Sequence, residues 1–372
     1  MIKQLAIVGP NADNAPMIAG SYVKKGTTLT TFLDAANSSV PPATKIVAAA
    51  LNYTALIDGG RQAPNSGGDP VANNNSWHVP GGIDMTVLSP EQKKLIHEAV
   101  AAANASDLTI AVLGDSGSTC GEGTDRISLD LPGVQMQLLG ALAALRKPLI
   151  VILSHGRPVT FGAGNAVLES VDVLLASWVG GEEHGPAMWS IINGDFNPSG
   201  RLAQTWPRSA GYIGTHADSK FGPEGLWQGD YQGMGWRDGE ANGPLFPLGF
   251  GLSFGALDQF SFTKKNLTVS RSAARSFDVP IAVAGGEMPG GTVVQLYFSQ
   301  NLAQAVRPKL MLLGFAKVER STTTKVVISV HVEDLGYFHP LTKQTSVDAG
   351  VYTLYVGVDS AHLSSSATLT CT

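Results

Sequence analysis

Two apolar runs fix the architecture of the first half of this 372-residue chain. Leu108-Thr109-Ile110-Ala111-Val112-Leu113 and Leu149-Ile150-Val151-Ile152-Leu153 have strand length and almost no polar residue. A strand of that kind needs cover on both faces, which is the habit of parallel sheets flanked by helices. The segments around them supply the helices. Ser89-Pro90-Glu91-Gln92 is a capping box with proline at the first helical position. It opens a helix carrying Leu95, Ile96, Ala99, Val100 and Ala103 on one face. Leu131-Pro132-Gly133 is expected to open a second helix, with Val134, Leu138, Leu142 and Leu145 inward. Leu5–Val8 and Val173–Ala176 read as further strands, and a helix from His184 to about Ile192 ends at Gly194. Residues 1–210 are therefore expected as an α/β domain: a mostly parallel sheet with helices on both faces.

The rhythm stops at 211. Residues 211–258, rich in Gly, Trp and Tyr, read as an irregular connector, and 60–84 as a long loop. From 259 to 372 the pattern is all-β. Gln259–Thr263, Phe277–Val283, Thr292–Phe298, Leu310–Val318, Lys325–Val332, Gly350–Val358 and Ser364–Thr370 are seven short runs separated by turn signals. That is the signature of an immunoglobulin- or fibronectin-like sandwich.

A formal charge of −5, with only 15% charged residues, excludes a nucleic-acid surface, which needs clustered Lys and Arg. Neutral sugars or other small molecules fit better. No run of about 18 apolar residues crosses a membrane. Cys120 and Cys371 fall in different expected domains and read as two free thiols. Sequons at Asn37, Asn52, Asn104 and Asn266 favour a secreted protein or one of a lytic compartment. The first ten residues read as a strand ending in a turn rather than as a signal peptide, which suggests a missing upstream portion.

The chemistry concentrates after the first apolar run. Gly114-Asp115-Ser116-Gly117-Ser118-Thr119-Cys120-Gly121-Glu122-Gly123-Thr124-Asp125-Arg126 carries four charged residues on a glycine-rich backbone. The carboxyl end of a parallel strand is where ligands bind in such folds. Glu122, flanked by glycines, is a candidate general acid/base. Asp115 is a candidate sugar-hydroxyl ligand or a turn-forming aspartate, and Asp125 and Arg126 are expected to pair or to shape the loop. The glycines do not make a dinucleotide fingerprint, since no helix opens directly after them. The Gly-Asp-Ser-Gly string lacks the two-barrel context of a serine protease. No histidine has metal-ligand spacing, so neither a cofactor nor a metal is expected.

Several strings, in order along the chain, resemble the C-terminal half of a family 3 glycoside hydrolase. Ile7-Val8-Gly9-Pro10-Asn11-Ala12 resembles the start of that family's α/β-sandwich domain. Glu122-Gly123-Thr124-Asp125-Arg126, followed by Leu129-Asp130-Leu131-Pro132-Gly133-Val134-Gln135, resembles its acid/base loop. His155-Gly156-Arg157-Pro158-Val159, Trp178–Gly185, Asn193–Leu202 and Leu245–Phe254 resemble further family strings. Val294–Tyr297 and Val306–Lys309 resemble its fibronectin-like tail. Departures are local: Ala203 replaces a usual proline, His184 a small residue, and Cys120 an acidic or polar one.

The resemblance implies a retaining exo-β-glycosidase of β-glucosidase or β-xylosidase type, acting on a β-linked oligosaccharide or glycoside. It makes Glu122 the acid/base. Asp115, Arg126, His155 and Arg157, at the same sheet edge, are the candidate substrate-binding residues, with a turn-forming role the alternative for His155 and Arg157. It also implies an N-terminal barrel carrying the nucleophile, and about 250 residues would be needed for that. The chain by itself is then expected to be inactive. The alternative is a non-catalytic carbohydrate-binding or scaffold remnant. Glu182 and Glu183 read as helix-start carboxylates, and Trp227, Tyr231 and Trp236 as sugar-stacking or junction-covering rings.

Overall fold

A computed structural model describes residues 2–20, 23–24, 26–57, 88–126, 128–210, 244–255, 258–285, 289–300, 310–319, 324–339 and 341–372. Most of the expected connector, including Trp227, Tyr231 and Trp236, and all of the expected loop 60–84 lie outside the described residues. The chain divides into two compact units. Residues 1–195 with 208–210 form one, and 196–207 with 211–372 the other.

The first unit is built on five strands: β1 (Gln4–Val8), β2 (Lys45–Ala49), β3 (Leu108–Gly114), β4 (Leu149–Ser154) and β5 (Val173–Ala176). Their order is β2-β1-β3-β4-β5, every pairing parallel. The helices are α1 (Ala15–Ala19), α2 (Phe32–Ser39), α3 (Tyr53–Leu56), α4 (Pro90–Asn104), α5 (Gln135–Ala143) and α6 (His184–Asn193). Alternate strand residues point to opposite faces. Leu5, Ile7, Ile110, Val112 and Ile152 form one apolar cluster with Phe32, Ala35 and Ala36 of α2 and Trp189 of α6. Phe32 and Trp189 meet with ring centroids 5.8 Å apart. The intervening Ala6, Val8, Ala111, Leu113, Val151 and Leu153 are equally buried. On that side α4 packs on β1 and β2, and α5 on α4 and β3, burying Ile96, Ala99, Ala103, Leu138 and Leu142.

The local chemistry explains the boundaries. Ser89 accepts from Gln92 N at 3.1 Å and Gln92 returns the bond to Ser89 N at 2.9 Å, so α4 starts as its capping box requires. Gly194, at φ 86°, stops α6. One boundary differs from expectation: α5 opens at Gln135 and not at Leu131. Gly133 takes φ 68°, and a Cβ there would sit 2.1 Å from Leu56 O. That close left-handed turn, fixed by Val134 N donating to Leu56 O at 2.8 Å, delays the helix.

The second unit holds β6 (Gln259–Phe262), β7 (Asn266–Val269), β8 (Ser276–Ala284), β9 (Gly291–Ser299), β10 (Met311–Glu319), β11 (Lys325–His331), β12 (Tyr337–His339), β13 (Gln344–Ser346), β14 (Gly350–Gly357) and β15 (Leu363–Cys371). One sheet runs β10-β9-β14-β15-β7 and the other β11-β8-β6, with β12–β13 a separate hairpin. Leu296, Phe298, Tyr352, Leu354 and Leu369 from the first sheet share a core with Phe260, Val279, Ile281 and Val330 from the second. The Leu245–Phe254 string lies within this unit. Gln295 Nε2 donates to Gly249 O at 3.0 Å and Tyr297 donates to Gln295 Oε1 at 2.6 Å. Gly249 takes φ 82°, and a Cβ there would lie 1.8 Å from Gln295 Oε1. Cys120 and Cys371 are both free thiols.

Candidate active site

The loops that follow β3 and β4 meet at the carboxyl edge of the parallel sheet. β3 ends at Gly114, whose φ of 133° and 1.9 Å approach of a would-be Cβ to Ser154 O admit only glycine. The chain then turns Asp115 inward, where it is 1% exposed. Its carboxylate accepts from Arg126 Nη1 at 3.1 Å, Thr119 Oγ1 at 2.9 Å and Gly156 N at 3.2 Å. Arg126 is as deeply buried, and its other arm donates to Asp130 O. Burial lowers the Arg126 pKa from its ordinary value, and Asp115 opposes that fall.

Arg126 pairs with Asp115 across the loop, so the expected Asp125–Arg126 pair is corrected; Asp125 is exposed. A buried guanidinium needs a carboxylate that is itself buried, and Asp125 is not.

Glu122 is exposed at the loop's outer end. Gly121 and Gly123 flank it at φ 155° and 73°. Thr124 closes the turn around it, donating to Gly121 O from Oγ1 at 2.6 Å and from N at 3.3 Å. The β4 loop grips this turn from the side. Arg157 Nη2 donates to Thr119 O at 2.8 Å and to Thr124 O at 3.1 Å. Gly156 lies against Cys120, since a Cβ at 156 would fall 2.0 Å from Cys120 Sγ. Burial, then Asp115, raises the Cys120 thiol pKa. A second stitch joins the same loops: Asp130 Oδ1 accepts from Thr160 Oγ1 at 2.5 Å and Gly162 N at 2.9 Å.

His155 is fully buried, with Nδ1 2.7 Å from Arg157 O and its ring 4.4 Å from Trp178. Burial lowers its pKa; a carbonyl oxygen only accepts, so Nδ1 carries the proton of this hydrogen bond. Asp115, Arg126 and Arg157 thus bond within and across to the Glu122 loop, and His155 supports it indirectly by holding Arg157 O. Glu182 and Glu183 sit exposed in a turn before α6, and no side chain caps that helix.

Sequence reasoning missed Gln135. It is fully buried, and its amide bonds both Gly114 N (2.9 Å) and Gly114 O (2.7 Å), plus Pro132 O (2.9 Å). A glutamine on the inward side of a mostly apolar helix, where Gln137 is its only polar companion, was the available signal.

The glycosyl hydrolase family 3 C-terminal domain matches residues 1–254, and a fibronectin type III-like domain matches residues 292–360. The chain belongs to glycoside hydrolase family 3. Among its family 3 relatives, a β-xylosidase of Formosa agariphila is 31% identical over 96% of this chain and 44% of its own length. A periplasmic β-glucosidase of Salmonella typhimurium is 30% identical over 96% of the chain and 45% of its own. A solved β-glucosidase of Erythrobacter marinus superposes with TM-score 0.75 at 27% identity, covering 100% of this chain and 47% of that one. A Listeria innocua β-glucosidase solved with laminaribiose shares the fold at TM-score 0.73 and 20% identity. This family 3 chain therefore spans less than half the length of the curated relatives it matches. Among the described residues, no helix is long and apolar enough to cross a membrane.

Proposed function

We propose that this chain supplies the general acid/base of a retaining exo-β-glycosidase, with Glu122 in that role. A carboxylate nucleophile from an N-terminal barrel, on the same or another polypeptide, attacks the anomeric carbon. Glu122 gives its proton to the departing glycosidic oxygen. In the second half of the cycle Glu122 takes a proton from water. That water attacks the anomeric carbon and releases the nucleophile. The substrate is a β-linked glucoside or xyloside cleaved at its end, the class named for two relatives that match 96% of the chain, and the enzyme is exported.

The observation that supports this reading is the setting of Glu122. It is an exposed carboxylate at the end of a glycine turn, at the carboxyl edge of a parallel sheet, on a loop anchored by a buried ion pair. Two carboxylates about 5 Å apart are needed for retention, and this chain contributes one. The purified chain is expected to turn over no aryl β-glucoside or β-xyloside, and a matching barrel fused or added to it to restore turnover. Robust hydrolysis by the chain alone, abolished by Glu122→Gln, would show that the nucleophile lies within it. The second reading is a non-catalytic carbohydrate-binding or scaffold protein. Saturable binding of a β-linked disaccharide by the chain, with no activity gained on adding a barrel, favours it.

A further inference from the structure

The two glycines of the Glu122 turn adopt left-handed φ, and Thr124 closes it by donating to Gly121 O. The flanks of the turn, Thr119 and Thr124, each offer a carbonyl to the same nitrogen of Arg157, 38 and 33 positions further along the chain. We infer that Arg157 is the positioning residue for the acid/base: one guanidinium nitrogen bridges the two ends of the turn and so fixes where Glu122 stands. This rests on the assignment of Glu122 made above.

Three features single out Arg157 from the other cation of the loop. Arg126 bonds Asp115 and Asp130 O, at the base of the loop and not at the turn. Arg157 is anchored at its own backbone, because His155 Nδ1 donates to Arg157 O and Gly156 N donates to Asp115. It also follows closely after β4, an interior strand paired with the central β3 through Gly114 and Ser154. The bridge therefore refers the Glu122 turn to the rigid sheet and bypasses the glycines. A carboxylate that must protonate an oxygen and later deprotonate water needs placement within a fraction of an ångström, and loss of such placement costs rate without removing the acid. Lysine can bring the charge to the same place, but it lacks the planar fork that the guanidinium presents to carbonyls.

Amide exchange of the purified chain tests the geometry, and kinetics of the barrel-complemented enzyme test its consequence. Arg157→Ala is expected to speed exchange of the Thr119, Cys120 and Thr124 amides by about tenfold or more. Amides of β3 and β4 should keep their rates, and Arg157→Lys should recover only part of the protection. Arg126→Ala should instead loosen the segment around Asp115 and Asp130. In the complemented enzyme, Arg157→Ala should lower kcat most for poor leaving groups, with little change in KM, and should add nothing further when Glu122 is already Ala. A wild-type turn that exchanges at free-peptide rates, an Arg157→Ala turn as protected as the wild type, or a loss spread evenly over β3 and β4 overturns the inference. So does a rate penalty for Arg157→Ala that persists undiminished in the Glu122→Ala background. Failure of the Glu122 assignment is read separately, because it removes the leaving-group dependence of Glu122→Ala and leaves the exchange results intact.

Discussion

Gln135 pairs with Gly114 as a neighbouring strand would. Its amide oxygen accepts from Gly114 N at 2.9 Å and its amide nitrogen donates to Gly114 O at 2.7 Å. The last residue of β3 thus has both backbone groups satisfied by a side chain of α5, and the acid/base loop leaves from that point. Gln135→Leu roughly keeps the volume but removes the partner of three buried backbone groups, Gly114 N, Gly114 O and Pro132 O. A buried unpaired polar group costs about 1–3 kcal/mol, so a loss of about 2–4 kcal/mol is expected in urea unfolding. A change below about 0.5 kcal/mol would mean that the loop base is held elsewhere.

Gly156 and Cys120 form a steric pair that a single experiment can isolate. A Cβ at position 156 would lie 2.0 Å from Cys120 Sγ but 3.7 Å from Cys120 Cβ, an ordinary contact. Gly156→Ala should therefore destabilise by about 1–3 kcal/mol, and Cys120→Ala in the same chain should restore most of it. Thermal unfolding of the four variants closes the cycle. Equal destabilisation in the presence and absence of the thiol would place the cause in the backbone.

His184 gives the fold an acid limit. It is 2% exposed, beneath Gly180 in the turn that leads into α6, and burial lowers its pKa from 6.5 to about 4. Between those values the unfolded chain binds the proton and the folded chain does not. The stabilising effect is full above pH 6.5 and declines as pH falls toward 4, by up to about 3 kcal/mol. The depressed pKa of His155 acts in the same direction. Unfolding free energies at pH 7 and pH 5 should differ accordingly, and His184→Leu should flatten the difference. An unchanged slope in that variant would assign the acid limit to other groups.

What could be read in the sequence follows physical scale. β3 and β4 were legible because a central parallel strand is apolar throughout, and both are buried along nearly their whole length. β2 was not: Lys45–Ala49 lies at the sheet edge with half-buried and exposed side chains, and its alanine-rich apolar run suits a helix as well as a strand. The strands of the second unit followed their alternating pattern, whereas β7, β12 and β13, at three or four residues, are too short to show one. At the site, composition pointed to the Glu122 loop, but partners depend on the third dimension. Nothing local could tell that Arg126 would reach Asp115 eleven residues back, or that Arg157 would span Thr119 and Thr124.

The central claim is that Glu122 is the acid/base, and leaving-group dependence with azide rescue tests it most directly. In the barrel-complemented enzyme, Glu122→Ala should slow glycosides with poor leaving groups by several orders of magnitude more than activated aryl glycosides. Those activated substrates barely need the proton, and general acid/base catalysis contributes about 10²–10⁴-fold. External azide should speed release of the glycosyl-enzyme by attacking the anomeric carbon without a general base, giving a β-glycosyl azide. Glu182→Ala and Glu183→Ala should show neither effect. Uniform slowing of all leaving groups by Glu122→Ala, no response to azide, and azide rescue at Glu183→Ala instead would contradict the account and move the role to Glu183.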